Sequence, residues 1–263
     1  MRLVSMANLR WVLRHRAWTP YYLKRYWRFA ILKVRHPEVV TEGFVFLGKD
    51  LEICVRKGYG RLVLGKWVHL GDNTRLRAHE GTLRIGDKAV FAREVTVNCY
   101  LDIEIGASTL IADWVYICDF DHRTEDITVP IKDQGLAKSP VRIGPDCWLA
   151  TKVTVLRGTD IGRGTVIAAN SVARGTVPSY SIAAGMPARV VKDRTAAYLA
   201  GAPQRAYLEE VGRDAEVAVV VQAHRRRSPS DDHRSGSHGE GSPSYSAVGH
   251  YVPDVIGEET RNG

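Results

Sequence analysis

The sequence predicts an all-β core, a parallel β-helix built from hexapeptide repeats. An apolar residue recurs at every sixth position through the middle of the chain: Leu64, Leu70, Leu76; Ile85, Phe91, Val97; Ile105, Ile111, Ile117; Ile143, Leu149, Val155; Ile161, Ile167, Ala173. The next residue is usually small, as in Gly65, Gly71, Gly86, Ala92, Gly106, Ala112, Gly144, Ala150, Gly162 and Ala168. Four residues after the apolar one, a small or β-branched side chain is common, such as Val68, Thr74, Val95, Thr109, Val153, Thr165 and Ser171. Such a period belongs to a solenoid in which three hexads make one triangular coil. The apolar residue fills the tube and the small one lets the backbone turn the corner. No 3.6-residue period runs through positions 64–118, so a helix does not explain the pattern. The region is rich in Val, Ile and Thr, and has no proline between Leu64 and Ile117, as strands require.

The flanking elements follow in order. Residues 1–40 form a basic segment in which Thr19 followed by Pro20 fits an N-cap and the first helical turn. Beyond it Leu23, Tyr26, Trp27, Ala30, Ile31 and Val34 share one helix face, while Lys24, Arg25, Arg28, Lys33 and Arg35 lie off it. That apolar face is expected to pack on the coil or a partner subunit, or else to lie on an anionic membrane surface. The coil proper spans 44–192. A helical stretch over 193–211 should cap its open end, because a terminal coil exposes its core. Residues 222–263 are dominated by Ser, Gly, Pro, His and charge, and are expected to be disordered.

With 263 residues and 44% apolar content, the chain can build one sizeable domain plus tails. Cys54, Cys99, Cys118 and Cys147 are scattered, with no CxxC pair, and read as small core or corner residues in a reducing compartment. No apolar run approaches a membrane span and no signal peptide is visible, which predicts a cytoplasmic protein. A peripheral contact with the inner membrane face stays open through residues 1–36. The net charge of +8 sits largely in that segment, and no nucleic-acid-binding motif accompanies it.

One long insertion, between Ile117 and Ile143, breaks the tight coil, and long loops on compact scaffolds tend to carry function. It opens on Cys118, Asp119, Phe120, Asp121 and His122. A histidine there, between acidic residues, is a candidate general base. A zinc site is disfavoured. Only His69, His79 and His122 lie within the coil, and the first two sit ten apart, which does not match three hexads.

The hexapeptide ladder, the Asp121–His122 start of the loop with its later Pro130–Ile131, the run CWLATKVTVLRGTDIG from Cys147 to Gly162 and AAGMPARVVKD from Ala183 to Asp193 resemble the hexapeptide-repeat acyltransferases. The likeness is to the maltose and galactoside O-acetyltransferases and the sugar O-acetyltransferases of polysaccharide gene clusters, and it covers about residues 60–193. It implies a left-handed coil, a homotrimer with active sites between subunits, and acetyl-CoA or another acyl-CoA as co-substrate, with no metal. It implies His122 as the catalytic base, and Asn98 and Asp102 as acceptor-binding residues. It places Thr151 and Ala169 along the pantetheine groove, and Arg174, Arg189 and Lys192 near the phosphates, where basic side chains suit the charge. The expected activity is direct acyl transfer to a hydroxyl of a sugar, polysaccharide or glycolipid. N-acylation of an amino sugar or amino acid, and a non-catalytic coil that scaffolds a membrane complex, are the alternatives. The basic N-terminal helix and the spacing of the charged loop depart from the maltose and galactoside enzymes.

Overall fold

The computed structural model describes residues 18–201, together with Arg10 and Arg14. The expected disordered segment 222–263 and the second half of the expected capping helix lie outside the described residues. Between Val40 and Asp193 the chain winds through three sheets of seven, eight and six strands, one strand from each sheet per coil and all parallel except the last strand of the eight. The hexad phase is the register. In the first sheet Leu64, Ile85, Ile105, Ile143, Ile161 and Val177 stack as Cα partners. In the second, Leu47, Leu70, Phe91, Ile111, Leu149, Ile167 and Ala183 do so. In the third the stack is Ile53, Leu76, Val97, Ile117, Val155 and Ala173. All but the terminal Ile53 are buried, and together they form one continuous core.

The second inward position is also buried, and where it is threonine its hydroxyl must find a partner. Corner carbonyls supply it: Thr74 Oγ1 donates to Gly71 O at 2.9 Å, Thr109 to Gly144 O at 3.0 Å and Thr165 to Pro178 O at 2.8 Å. The small residue after the apolar one has a steric reason. A Cβ at Gly106 would stand 2.3 Å from the backbone nitrogen of Pro145 in the next coil. The cysteines divide. Cys99, Cys118 and Cys147 are buried as expected, whereas Cys54 is exposed on the outer side of the strand Glu52–Val55, because that edge strand has no coil beneath it.

Helix α1 (Pro20–Arg35) forms where the sequence places it, but it docks by a different face. Phe29 and Leu32 are buried in the core, and Tyr26 and Phe29 each meet the Phe44 ring edge-on or tilted at 5.0 Å. Arg28 Nη1 donates to Leu47 O at 3.1 Å and Lys33 Nζ to Val39 O at 3.2 Å, which pins the helix to the first coil. Most of the expected contact face is turned outward: Leu23, Trp27 and Val34 are 55, 69 and 82% exposed, while its Tyr26 packs on Phe44. The other end of the coil is closed by a strand as well as a helix. The strand Ala188–Asp193 turns back antiparallel along Ser181–Gly185 and closes the edge of the second sheet. Helix α2 (Arg194–Gly201) starts only after it, with Asp193 Oδ1 accepting from the backbone N–H and hydroxyl of Thr195.

His69 lies in the second sheet with its ring 4.1 Å from that of Phe46. Burial, aided by Arg25, pushes its pKa down to about 4 from 6.5. Above pH 6.5 the folded and unfolded chains are both neutral here. As the pH falls from 6.5 toward 4, the unfolded chain binds a proton that the folded chain refuses, so stability is lost in that window. His69→Gln should flatten the fall in melting temperature between pH 7 and pH 4.5. An unchanged slope would show that other groups set the acid limb.

Candidate active site

The third sheet differs from the other two at one position per coil. In the first and second sheets the residue after each stacked apolar side chain is Gly or Ala throughout the central coils. In the third it is Cys54, Arg77, Asn98, Cys118, Leu156 and Arg174. The first four of these are Cα partners of one another, so they form a column along the outer side of the sheet. The long insertion leaves the coil from this sheet, directly after the strand Tyr116–Cys118.

Asn98 is at the centre of the column and is 9% exposed. Its Nδ2 donates to the Tyr116 hydroxyl, one coil on, at 3.0 Å. Its Oδ1 is buried and has no hydrogen-bond partner among the described residues. A buried carbonyl left open costs free energy unless a ligand or water completes it. Below it the Arg77 guanidinium grips Glu52 with two bonds, of 2.6 and 3.1 Å. Burial raises the Tyr116 phenol pKa, so it stays a neutral hydroxyl at pH 7.

The insertion is a short antiparallel hairpin, Phe120–His122 against Leu136–Lys138, with a turn of 3-10 helix at Ile131–Asp133. Its root is held firmly. Asp119 is fully buried and accepts the backbone N–H groups of Tyr100, Leu101 and Asp102 at 2.7 to 2.8 Å. Asp121 accepts from Arg157 Nε at 2.7 Å. The Tyr100 ring is stacked on His79 at 4.6 Å and meets Phe120 at 4.5 Å. Lys138 pairs with Glu80 across the root. His122 itself is exposed, and among the described residues nothing hydrogen-bonds its ring. Asp119 and Asp121, its acidic neighbours in sequence, are therefore committed elsewhere and do not orient it.

Asp102 belongs to the first sheet, around the corner from Asn98, and its carboxylate is paired with Arg142. The structure does not bring it into the column. Thr151 and Ala169 occupy the same corner of successive coils, as the register Leu149 to Ile167 dictates, with Thr151 Oγ1 donating to Asp113 O at 2.9 Å. Arg174 and Arg189 do come together. With Leu156, Val172, Gly175, Met186 and Pro187 they line an open cleft of about 550 Å³ at the C-terminal end of the third sheet. Lys192 is exposed on the closing strand and does not line it. Among the described residues no three His, Cys, Asp or Glu side chains converge as a metal site would need. Sequence reasoning overlooked Tyr116, Arg157 and the structural role of Asp119. Tyr116 was recoverable, because it stands three hexads after Asn98 and so must lie on the neighbouring coil.

No family model matches the chain. It is 56% identical over 215 residues to a probable acetyltransferase, Rv3034c, of Mycobacterium tuberculosis, covering 82% of this chain and 72% of that one. It is 40% identical over 147 residues to the putative lipopolysaccharide biosynthesis O-acetyl transferase WbbJ of Escherichia coli K12, covering 53% and 75%. Among solved structures it is similar to a point mutant of AntD, an N-acyltransferase from Bacillus cereus, in complex with dTDP and coenzyme A. The TM-score is 0.52 at 17% identity, over 69% of this chain and 95% of that one. At that identity the likeness is one of fold.

Proposed function

Because this chain belongs to the hexapeptide-repeat acyltransferases, and so draws its acyl group from acyl-CoA, we propose that it delivers that group, an acetyl, to a hydroxyl of a sugar, polysaccharide or glycolipid. The observation that carries this reading is the layout of the third sheet. The third sheet carries the buried carbonyl of Asn98 and, at its C-terminal end, the two-arginine cleft, and the hairpin that bears His122 springs from its strand Tyr116–Cys118. The strand of Asn98 and that of Val172 are three steps apart, about 14 Å at ordinary strand spacing. The Escherichia coli relative named as an O-acetyl transferase supports a hydroxyl as the acceptor.

The cleft suits the acyl donor. Its Leu156, Val172, Met186 and Pro187 offer apolar walls to a pantetheine arm, with Thr151 and Ala169 on the neighbouring corner. Arg174 and Arg189 offer guanidinium groups to phosphate oxygens. At the other end Asn98 Oδ1 accepts a hydrogen bond from the acceptor. His122 takes the proton of the attacking hydroxyl as its oxygen bonds to the thioester carbon. The carbon–sulfur bond breaks, and the departing sulfur receives the proton back from the imidazolium. Holding both substrates along one rigid face supplies much of the rate. The assembly we propose is a homotrimer. The His122 ring lacks an orienting group within its own described chain and the arginine cleft is open, so a neighbouring copy would complete both.

The test is CoA release across a panel of soluble sugars and amino sugars. Release with hydroxyl acceptors supports the reading, and release only with amines would replace it by N-acylation. A second measurement isolates the donor site. Arg174→Ala and Arg189→Ala should each weaken CoA binding by about tenfold, the scale of one lost charge-assisted hydrogen bond. Binding of acetyl-pantetheine, which lacks the phosphates, should be unchanged. Calorimetry that showed equal losses for both ligands would remove the arginines from phosphate recognition.

A further inference from the structure

The helix face that the coil leaves uncovered is chemically distinctive. At one hundred degrees per residue, Leu23, Trp27, Ala30 and Val34 fall on a single stripe of α1, opposite the docked Phe29 and Leu32. The stripe is exposed along its length, and Trp18, just before the helix, is 54% exposed. Lys24, Arg28 and Arg35 run along one side of the stripe and Lys33 along the other. Arg28 and Lys33 are tethered to coil carbonyls, while Lys24 and Arg35 stand exposed. The first 36 residues hold nine Lys and Arg and no Asp or Glu, one more cation than the net charge of the whole chain. The segment thus pairs an exposed apolar stripe bearing tryptophan with a wholly cationic setting.

We propose that this face of α1 docks the enzyme on an anionic phospholipid surface. Lipid explains both halves of the composition: acyl chains take the stripe, headgroup phosphates take the cations, and tryptophan favours the boundary between them. A second copy explains only the first half. A two-fold contact through this face would set identical cation-rich segments against each other, with no acidic residue within the segment to answer them. The docking is independent of the acyl-transfer reading, since α1 packs on the second-sheet strand Phe46–Leu47 and none of its described residues lines the two-arginine cleft.

Flotation of the full chain with phosphatidylglycerol-containing vesicles tests it, with pure phosphatidylcholine vesicles for comparison. The chain should float with the anionic vesicles at low salt, less at high salt, and poorly with the neutral ones. The double substitution Leu23→Ser with Trp27→Ser removes two exposed side chains and should weaken partition at least about tenfold, given the apolar area each would bury. Its melting curve and its CoA release with a soluble acceptor should match the parent. Two results would overturn the proposal. One is a parent that stays in the aqueous phase at low salt. The other is a double variant whose light-scattering mass falls below that of the parent, which would show that another copy covers the stripe.

Discussion

Replacing His122 by alanine should lower turnover by about a hundredfold or more while fold and CoA affinity stay as they are. A positioned general base contributes on the order of 10² to 10⁴ in rate, and a sugar hydroxyl is a poor nucleophile near neutral pH until its proton is removed. The structural argument for an intact fold is direct. The ring is exposed and bonds to nothing among the described residues, so trimming it opens no cavity and strands no partner. The hairpin that carries it is held at the root by Asp119, by the Asp121–Arg157 pair and by the Tyr100 stack, none of which involves the imidazole. Circular dichroism and calorimetric CoA binding should therefore match the parent, and steady-state CoA release should not. Activity within a few-fold of the parent would make His122 an ordinary loop residue. The base would then have to be sought elsewhere on the third sheet.

The coil was legible because each of its constraints repeats. Leu64, Ile85 and Ile105 are spaced by twenty-one and then twenty residues rather than by three exact hexads, yet they share a stack because inserted residues are absorbed at corners such as 79–81 and 100–101. The docking of α1 was not legible. Both sides of the helix are apolar, Phe29 and Leu32 on one and Leu23, Trp27 and Val34 on the other, so periodicity locates the helix without choosing its contact. What chooses is the aromatic cluster of Phe44 and Phe46, and neither lies within the helix. The site was half legible. Asn98, Arg174 and Arg189 fall on the third sheet or its cleft and His122 on the hairpin that leaves that sheet, whereas Asp102 turns the corner into an ion pair. A sharper signal was present all along. Where the hexad demands Gly or Ala and the chain supplies Arg77, Asn98, Leu156 or Arg174, the corner is open, and those positions trace the candidate site.

Asp119 carries the second large expectation. It is an acidic side chain with no exposed surface, beside the proposed base, and its position alone invites a catalytic role. Its bonds point to a positioning role. Three successive backbone N–H groups, of Tyr100, Leu101 and Asp102, converge on its two oxygens, and the Cys99 thiol lies 3.5 Å away. That corner contains an inserted residue pair, so it lacks the regular hexad bonds and depends on the carboxylate instead. Asp119→Ala would leave three donors without an acceptor in a half-buried turn. Each stranded donor costs about 1–3 kcal/mol, and water would recover part of it, so a net loss of about 3 kcal/mol is expected. The loss should reach the chemistry as well. The freed corner holds Tyr100, whose ring meets Phe120, and Phe120 begins the strand that presents His122. Turnover should fall with stability, while CoA binding at the far end of the sheet persists. Asp119→Asn, which keeps one acceptor oxygen and the same volume, should recover part of both. A destabilisation below about 1 kcal/mol for the alanine variant, read from denaturant unfolding, would mean that the corner holds itself and that Asp119 positions nothing.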